Sequence, residues 1–230
     1  MKENFIHVCF INDESGSMFG TESDIIGGFK KIVDEQRANK NGKCAVSLYK
    51  FADKVSKIYM GKDVNDVEYL DEKSYRPGGC TAMNDAIGTA VDEIGKWLDA
   101  MDEAEKPEKN LIVIMTDGEE NSSVEYSFEK VKEMIKHQEE KYSWSFMYLG
   151  TDITDASYAK SYGFDNRLYT SKKSLSKSYD MLNTSINCYR SVTGSTEFKN
   201  ATFALNLQES IDTLNNAYEN EIGQKITNND

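Results

Sequence analysis

Apolar runs and helix-like spacings alternate along this chain. Residues 5–11 are all apolar except His7. Such a run is typical of a central parallel strand covered on both faces. Similar runs predict further strands at residues 44–51, 55–60, 111–115, 144–149 and 168–169. The short turn at Asp53 and Lys54 separates two of these runs, so we expect those two strands to form an antiparallel hairpin.

Between the strands, apolar residues recur every three or four positions and predict amphipathic helices. The helical positions, in four groups along the chain, are Ile25, Ile26, Phe29, Ile32 and Val33; Met83, Ile87, Val91, Ile94, Leu98 and Met101; Val124, Phe128, Val131 and Ile135; and Leu175, Tyr179, Leu182, Ile186 and Tyr189. Ser23 is the expected N-cap of the first helix. A short helix is predicted over residues 155–162. Residues 61–79 are polar and predict a loop, in which a short helical turn could also form.

This alternation of strands and helices predicts an α/β fold. Its centre is a mostly parallel open sheet with one antiparallel strand, and helices cover both faces. Residues from Val192 to Thr202 are rich in Ser, Thr, Gly and Asn, as in a linker. Helical spacing returns at Leu207, Ile211 and Leu214. We expect this tail to pack on the domain, although it could also serve as a helix for a partner.

Composition narrows the choice of function. The 230 residues carry a formal net charge of -12, which disfavours nucleic acid and anionic membrane as partners. The N-terminal residues lack the apolar core of a signal peptide, and no apolar stretch is long enough to span a membrane. The four cysteines form no C-x-x-C pair, which disfavours a zinc site. We therefore expect a reduced, cytoplasmic protein.

Three polar clusters follow buried strands or precede a buried helix. They are Asp13-Glu14-Ser15-Gly16-Ser17, Gly78-Gly79-Cys80-Thr81 and Thr116-Asp117-Gly118-Glu119-Glu120. Ligands of open α/β sheets bind at the carboxyl ends of the strands, so the three clusters can converge on one site. Their carboxylates and hydroxyls, without thiolate or imidazole, suit Mg²⁺, Mn²⁺ or Ca²⁺.

The same three clusters resemble the motifs of a known family. Asp-x-Ser-Gly-Ser after the first strand resembles the opening motif of von Willebrand factor A domains. The sequences Gly-Gly-Cys-Thr-Ala-Met-Asn-Asp-Ala-Ile and Ile-Met-Thr-Asp-Gly-Glu-Glu-Asn resemble its second and third motifs. The resemblance covers roughly residues 5–169. The end of this region is closer to small bacterial and phage-type members than to integrin domains.

The resemblance implies a Rossmann-like sheet with one antiparallel edge strand. Because the linker-like stretch begins at Val192, we expect residues 1–192 to form the domain and residues 193–230 to form the linker and helical tail. The resemblance also implies a metal-ion-dependent adhesion site, in which Ser15, Ser17 and Thr81 ligate the ion through their hydroxyls. Asp13 and Asp117 would bind it directly or through water. Mg²⁺ is the expected ion, with Mn²⁺ or Ca²⁺ as alternatives.

Other polar residues near these motifs have simpler explanations. Asp85 lies in the first turn of its helix, where a carboxylate is stabilised by the helix dipole, so we expect a structural or supporting role. Glu14, Glu119 and Glu120 are expected as charges at the rim of the site. His7 is expected to be a hydrogen-bonded core histidine rather than a catalytic one.

Two classes of function fit the motifs. The first is a protein-binding adaptor module whose ion captures an Asp or Glu of a protein partner. The resemblance adds AAA+ ATPases and other multiprotein assemblies as partners of related domains. The second is a metal-dependent hydrolase or phosphotransferase. It is disfavoured because no nucleotide-binding Gly-rich loop and no nucleophile elbow occur. A ribonucleoprotein role, known for some members, is disfavoured by the acidic charge. The sequence therefore predicts a binding module without enzymatic activity.

Overall fold

A six-stranded sheet forms the centre of the computed structural model, which describes residues 1–150, 155–164, 166–169 and 175–191. The strands are β1 Lys2–Asp13, β2 Lys43–Phe51, β3 Val55–Asp63, β4 Pro107–Thr116, β5 Ser145–Gly150 and β6 Asn166–Tyr169. Their order is β3-β2-β1-β4-β5-β6, and only the edge strand β3 pairs in the antiparallel direction. This arrangement confirms the predicted Rossmann-like α/β sheet and its antiparallel edge strand.

Five α-helices in the described part of the chain flank the sheet. They are α1 Glu22–Ala38, α2 Met83–Asp99, α3 Phe128–Tyr142, α4 Asp155–Tyr162 and α5 Leu175–Ser191. Apolar residues of α1 and α5 share one core cluster with one face of the sheet, while those of α2, α3 and α4 share a second cluster with the other face. Both faces of the central strands are thus buried, which explains their continuous apolar runs.

Helices α1 and α5 pack closely because α1 has a glycine at their contact. A Cβ atom on Gly28 would stand 2.2 Å from the aromatic ring of Tyr179 in α5. Any side chain at position 28 would therefore push α5 away from the sheet. This close contact explains why α1 contains a glycine, a residue of low helix propensity, in its interior.

The structure corrects three local predictions. Helix α1 begins at Glu22 after Thr21, so Ser23 lies inside its first turn and is not the N-cap. Helix α3 begins only at Phe128, and Val124 lies in the preceding loop with its side chain 90% exposed. Strand β3 continues to Asp63, into the segment predicted as loop. The predicted linker and tail helix beyond residue 191 lie outside the described residues.

The topology decides where the polar clusters meet. Strand β1 pairs in parallel with both β2 and β4, and the strand order reverses between β1 and β4. In doubly wound sheets, ligands bind at the carboxyl ends of the strands beside such a reversal. The loops after β1 and β4 carry the first and third clusters, so this edge of the sheet is the candidate site. Among the described helices, none is long and apolar enough to cross a membrane.

Candidate metal centre

Asp13 is the last residue of β1, and its carboxylate is buried at the base of the site. Its Oδ1 accepts a hydrogen bond from the Ser15 N–H at 2.7 Å, and its Oδ2 accepts one from the Thr116 hydroxyl at 2.6 Å. Burial raises the pKa of this carboxyl, the hydrogen bonds from Thr116 and Ser15 lower it, and the charge of Asp117 raises it; the resulting pKa is about 6. Asp13 thus orients the first loop and joins the ends of β1 and β4.

A chain of short hydrogen bonds links the first and third clusters. Ser15 Oγ lies 2.9 Å from Ser17 Oγ, and the Ser17 hydroxyl donates to Asp117 Oδ1 at 2.6 Å. Ser15 is buried, whereas Ser17 is exposed. Asp117 is half-buried, so the chain of three side chains reaches the solvent at its middle member, Ser17.

Thr81 brings the second cluster to the same place. Its Oγ1 and the Ser17 Oγ lie 3.2 and 3.3 Å from the point where a Cβ on Gly118 would stand. The Thr81 N–H also donates to the Asn121 side-chain oxygen at 2.9 Å, and the Asn121 N–H donates to the Thr81 carbonyl at 3.0 Å. The structure therefore brings together all five predicted ligand residues, and Asn121 holds two of their loops in register.

The donor set fits a hard divalent cation. Neighbouring ligands of an octahedral Mg²⁺ ion stand about 2.9 Å apart, because each bond is about 2.0–2.1 Å long. The two serine oxygens have the same separation, 2.9 Å. Two carboxylates and three hydroxyls also match the oxygen preference of Mg²⁺, Mn²⁺ and Ca²⁺. In the part of the chain that is described, no group of three or more His, Cys, Asp or Glu side chains is placed so that it could hold a metal ion.

Two of the acidic residues expected at the rim instead hold the loops. Glu14 accepts hydrogen bonds from Lys50 Nζ at 2.8 and 2.9 Å and from the Arg76 N–H. Glu120 accepts hydrogen bonds from the N–H groups of Asn84, Ser122 and Ser123. Both carboxylates thus anchor backbone beside the site, whereas Glu119 is exposed as expected.

Asp85 anchors the loop after β4, which carries the third cluster, to helix α2. Its carboxylate accepts hydrogen bonds from the N–H groups of Val124, Glu125 and Tyr126 at 2.8–2.9 Å. The loop that begins at Asp117 is therefore tied to the start of α2, the helix that follows Thr81. The negative charge near the N-terminus of α2 is also favourable for the helix dipole.

Hydrogen bonds connect the segment before Thr81 to the loop after β1, and no sequence pattern predicts them. The Tyr75 hydroxyl donates to the Asp13 carbonyl at 2.6 Å, and the Gly78 N–H donates to the Glu14 carbonyl at 2.8 Å. Gly79 has a φ of 81°, and a Cβ there would stand 2.2 Å from Asp53 Oδ2. In the sequence, the Gly78-Gly79 pair indicates an unusual backbone conformation, whereas no local pattern distinguishes Tyr75 from its neighbours in the predicted loop.

His7 belongs to a buried hydrogen-bond network, as expected. Its Nε2 lies 2.8 Å from Ser47 Oγ, and its Nδ1 lies 3.1 Å from Asn110 Oδ1. This order of groups resembles a nucleophile, base and orienting residue, but His7 and Ser47 are both fully buried. A substrate cannot reach the serine, so the network stabilises the sheet. Burial lowers the pKa of His7 to about 4.

Comparisons with known proteins identify the class of fold. No family model and no curated protein sequence matches this chain. Solved structures do match: the von Willebrand factor domain of the pilus tip protein Mfa5 from Porphyromonas gingivalis superimposes with a TM-score of 0.59 and 9% identity, covering 84% of this chain and 98% of that one. Proximal thread matrix protein 1 from the mussel byssus superimposes with a TM-score of 0.55 and 19% identity.

The match to the mussel protein covers 80% of this chain and 47% of that one, so this chain spans about half its length. The ArnB paralog VWA2 from Sulfolobus acidocaldarius adds a TM-score of 0.51 at 14% identity, over 76% of this chain and 44% of that one. The described fold is therefore that of von Willebrand factor A domains. Another structure of the mussel protein is described as having a zinc-occupied metal-ion-dependent adhesion motif.

Proposed function

We propose that this protein is a divalent-cation-dependent protein-binding module. In this proposal Ser15, Ser17 and Thr81 hold the ion through their hydroxyls, and Asp13 and Asp117 hold it directly or through water. The observation that carries the proposal is the hydrogen-bonded chain from Ser15 through Ser17 to Asp117, with Thr81 beside it. Mg²⁺ is the proposed ion, and the zinc-occupied motif of the mussel protein supports a divalent cation in this fold.

The burial of the donors indicates where a partner would bind. Asp13, Ser15 and Thr81 lie on the protein side of the site, whereas Ser17 is exposed. An ion among these residues would keep a coordination position toward solvent. The bound cation would supply a localised positive charge that attracts a carboxylate far more strongly than a neutral group. The proposed partner is therefore a protein that presents an Asp or Glu side chain.

The described residues near the site favour binding over catalysis. The carboxylates Asp13, Glu14, Asp85 and Glu120 are each occupied by hydrogen bonds that position loops. The nearest arrangement of a nucleophile with a base, Ser47 with His7, lies buried inside the sheet. We accordingly propose an adaptor without enzymatic activity. Its partner could belong to a larger assembly, with AAA+ ATPases as the first class to test.

The first experiment measures the ion and its free coordination position. Mn²⁺ is added to the wild-type protein, and the relaxation of water protons reports the ion and its bound water. A short peptide with one Asp is then titrated against the same peptide with Asn. We expect tight Mn²⁺ binding, and we expect only the Asp peptide to displace water from the ion. Equal Mn²⁺ affinity in wild type and Asp117→Asn would refute the proposed site.

The second experiment tests capture of a partner. Immobilised wild-type protein and Thr81→Ala are exposed to cell lysate in Mg²⁺ and then in EDTA. Water can replace one neutral ligand, so Thr81→Ala should still bind Mn²⁺ while losing the oriented docking position. We expect the captured proteins to be released by EDTA and to be depleted on Thr81→Ala. The same set of proteins in all three conditions would show that binding uses another surface.

A further inference from the structure

A groove of about 660 Å³ opens beside the candidate metal site. One wall is the start of α1, with Phe19 before it and Ile26 one turn inside. The other wall is the segment that contains Tyr75 and Pro77. The aromatic ring of Phe19 is 65% exposed, which leaves a large apolar surface open to solvent. No residue of the groove belongs to the predicted ligand set.

Hydrogen bonds connect the walls of the groove to the metal site. The Tyr75 hydroxyl donates to the carbonyl of Asp13, and the Arg76 N–H donates to the Glu14 carboxylate. On the opposite wall, the Phe19 N–H donates to the carbonyl of Gly16 at 3.3 Å. Both walls are thus hydrogen-bonded to the loop that carries Ser15 and Ser17. A molecule that contacts the ion would have its neighbouring atoms presented to this groove.

The rim of the groove carries an excess of negative charge. Of the described residues, Glu22 and Glu72 line it together with a single cation, Arg76. Neither carboxylate forms an ion pair with a described residue, whereas Arg76 Nε donates to the Glu72 carbonyl at 3.2 Å. The charge that complements this rim is positive, and the surface that complements the walls is apolar.

We infer that the groove is the specificity pocket for a partner segment with three features. An Asp or Glu meets the ion, a large apolar side chain of the same segment fills the groove beside Phe19 and Ile26, and a Lys or Arg meets Glu22 and Glu72. This inference rests on the proposed function for its acidic anchor. It adds that the carboxylate alone does not select the partner, since the groove requires an apolar and a basic neighbour.

Gly27 offers a way to fill the groove without disturbing the site. It lies on α1 and lines the groove, and a Cβ at this position would meet no atom within 4 Å. Gly27→Leu therefore adds apolar bulk to the groove and replaces a poor helix former with a good one. Gly95→Leu is the matched control, because Gly95 lies inside α2, away from the groove, and its Cβ would also be free of contacts.

The probe is a library of short immobilised peptides with a fixed central Asp and randomised flanks, screened in Mg²⁺. For wild type and Gly95→Leu, we expect enrichment of a large apolar residue at one spacing from the Asp, with Lys or Arg nearby. Gly27→Leu should lose the apolar preference and bind the selected peptides about tenfold more weakly, the effect of ~1.4 kcal/mol. Its Mn²⁺ affinity should equal that of wild type.

Reversing the charge of Glu72 should create a new peptide preference, and a misfolded protein would not show one. Glu72 is exposed, so Glu72→Lys should leave the thermal midpoint unchanged. We expect this variant to replace the preference for Lys or Arg with a preference for Asp or Glu at the same library position. An unchanged preference would overturn the assignment of the basic residue to this rim.

The outcomes separate the groove from the metal site. Identical peptides selected by wild type, Gly27→Leu and Gly95→Leu would overturn the groove as a specificity pocket while the proposed function stands. Selected peptides that depend on the groove but bind equally in EDTA would refute the proposed function. Sedimentation of the free protein tests another occupant: a dimer that Gly27→Leu abolishes would make a second copy the ligand of the groove and overturn the inference.

Discussion

Ser17 and Asp117 are 100 residues apart in the sequence, yet the Ser17 hydroxyl donates a hydrogen bond to the Asp117 carboxylate at 2.6 Å. The parallel pairing of β1 with β4 produces this proximity, because both side chains lie in the loops just beyond the ends of these strands. Behind them, the Thr116 hydroxyl bonds the buried Asp13. The candidate site therefore depends on the register of two strands as much as on its motifs.

Asp117→Asn should weaken Mg²⁺ binding on the order of 100-fold or more. The change removes one of two carboxylates, and two unit charges about 4 Å apart attract by roughly 4 kcal/mol at an effective dielectric constant near 20. The amide oxygen can still accept from Ser17, so the fold should be kept. Titration calorimetry measures the affinity, with Asp99→Asn at the exposed end of α2 as control. Equal weakening in both variants would indicate a general charge effect.

Mg²⁺ affinity should fall in acid through the pKa of Asp13. Burial raises this pKa to about 6, so a proton competes with the ion at and below that pH. The stability of the metal-free protein depends on pH in the opposite direction: protonation of Asp13 weakens metal binding but favours folding. Because the folded pKa exceeds the unfolded value of 3.8, this group favours folding fully below pH 3.8, and that contribution is lost as the pH rises through 6.

Calorimetric titrations at a series of pH values test this competition. We expect a nearly constant affinity above pH 7 and about a tenfold loss for each unit below pH 6. Asp13→Asn removes the titrating group and should bind weakly at every pH. A pH-independent wild-type affinity across this range would contradict the coupling of the ion to Asp13.

Asp85→Ala should loosen the loop that carries Asp117. The loss of a carboxylate that accepts three backbone N–H groups should cost on the order of 3 kcal/mol in the free energy of unfolding. Urea unfolding measures this loss, and hydrogen exchange should accelerate at residues 124–126. Asp92→Ala on the same helix is the control, because the Asp92 carboxylate accepts a hydrogen bond from the Tyr126 side-chain hydroxyl and not from the backbone of this loop. Unchanged exchange in Asp85→Ala would refute the anchoring role.

His7 should make the protein sensitive to acid. Burial lowers its pKa from 6.5 to about 4, so the neutral ring stabilises the fold above pH 6.5. This contribution, on the order of 3 kcal/mol, is lost as the pH falls from 6.5 to 4. Urea unfolding of wild type and His7→Gln across this window measures it. The difference in unfolding free energy between the two proteins should shrink in acid, and a constant difference would contradict the assignment.

Thiol labelling should distinguish the four cysteines. All four are unpaired: Cys80 is exposed, Cys188 is partly buried, and Cys9 and Cys44 are buried. Burial raises the pKa of Cys44 to about 12, which disfavours the reactive thiolate. We expect Cys80 to react first in the native protein and four thiols to react after denaturation. Two or fewer thiols in denatured protein would establish a disulfide and contradict the expected reduced state.

The sequence alone predicted the elements and their order because the central strands are buried on both faces and the helices on one. These two patterns of burial leave different periodicities, as in residues 5–11 and in the positions from Met83 to Leu98. It also placed Asp13, Thr81 and Asp117 where buried elements begin or end, and the resemblance to von Willebrand factor A domains then implied the five candidate ligands. The predictions of helix starts failed where neighbouring residues offered an alternative start. Ser23 was predicted as an N-cap, but α1 begins at Glu22; Val124 was predicted in a helix, but α3 begins at Phe128.

Only the tertiary structure decided which polar groups meet. Asn121 bonds Thr81, Tyr75 bonds the Asp13 carbonyl, and Asp85 holds three amides of a distant loop. Each contact joins residues at least 39 positions apart, and hydrophobic periodicity carries no information about such pairs. The groove beside Phe19 is likewise a product of packing, because its two walls come from segments about 50 residues apart that meet only when the first loop bonds both. Local periodicity therefore set the elements, and the pairing of strands set the chemistry at their ends.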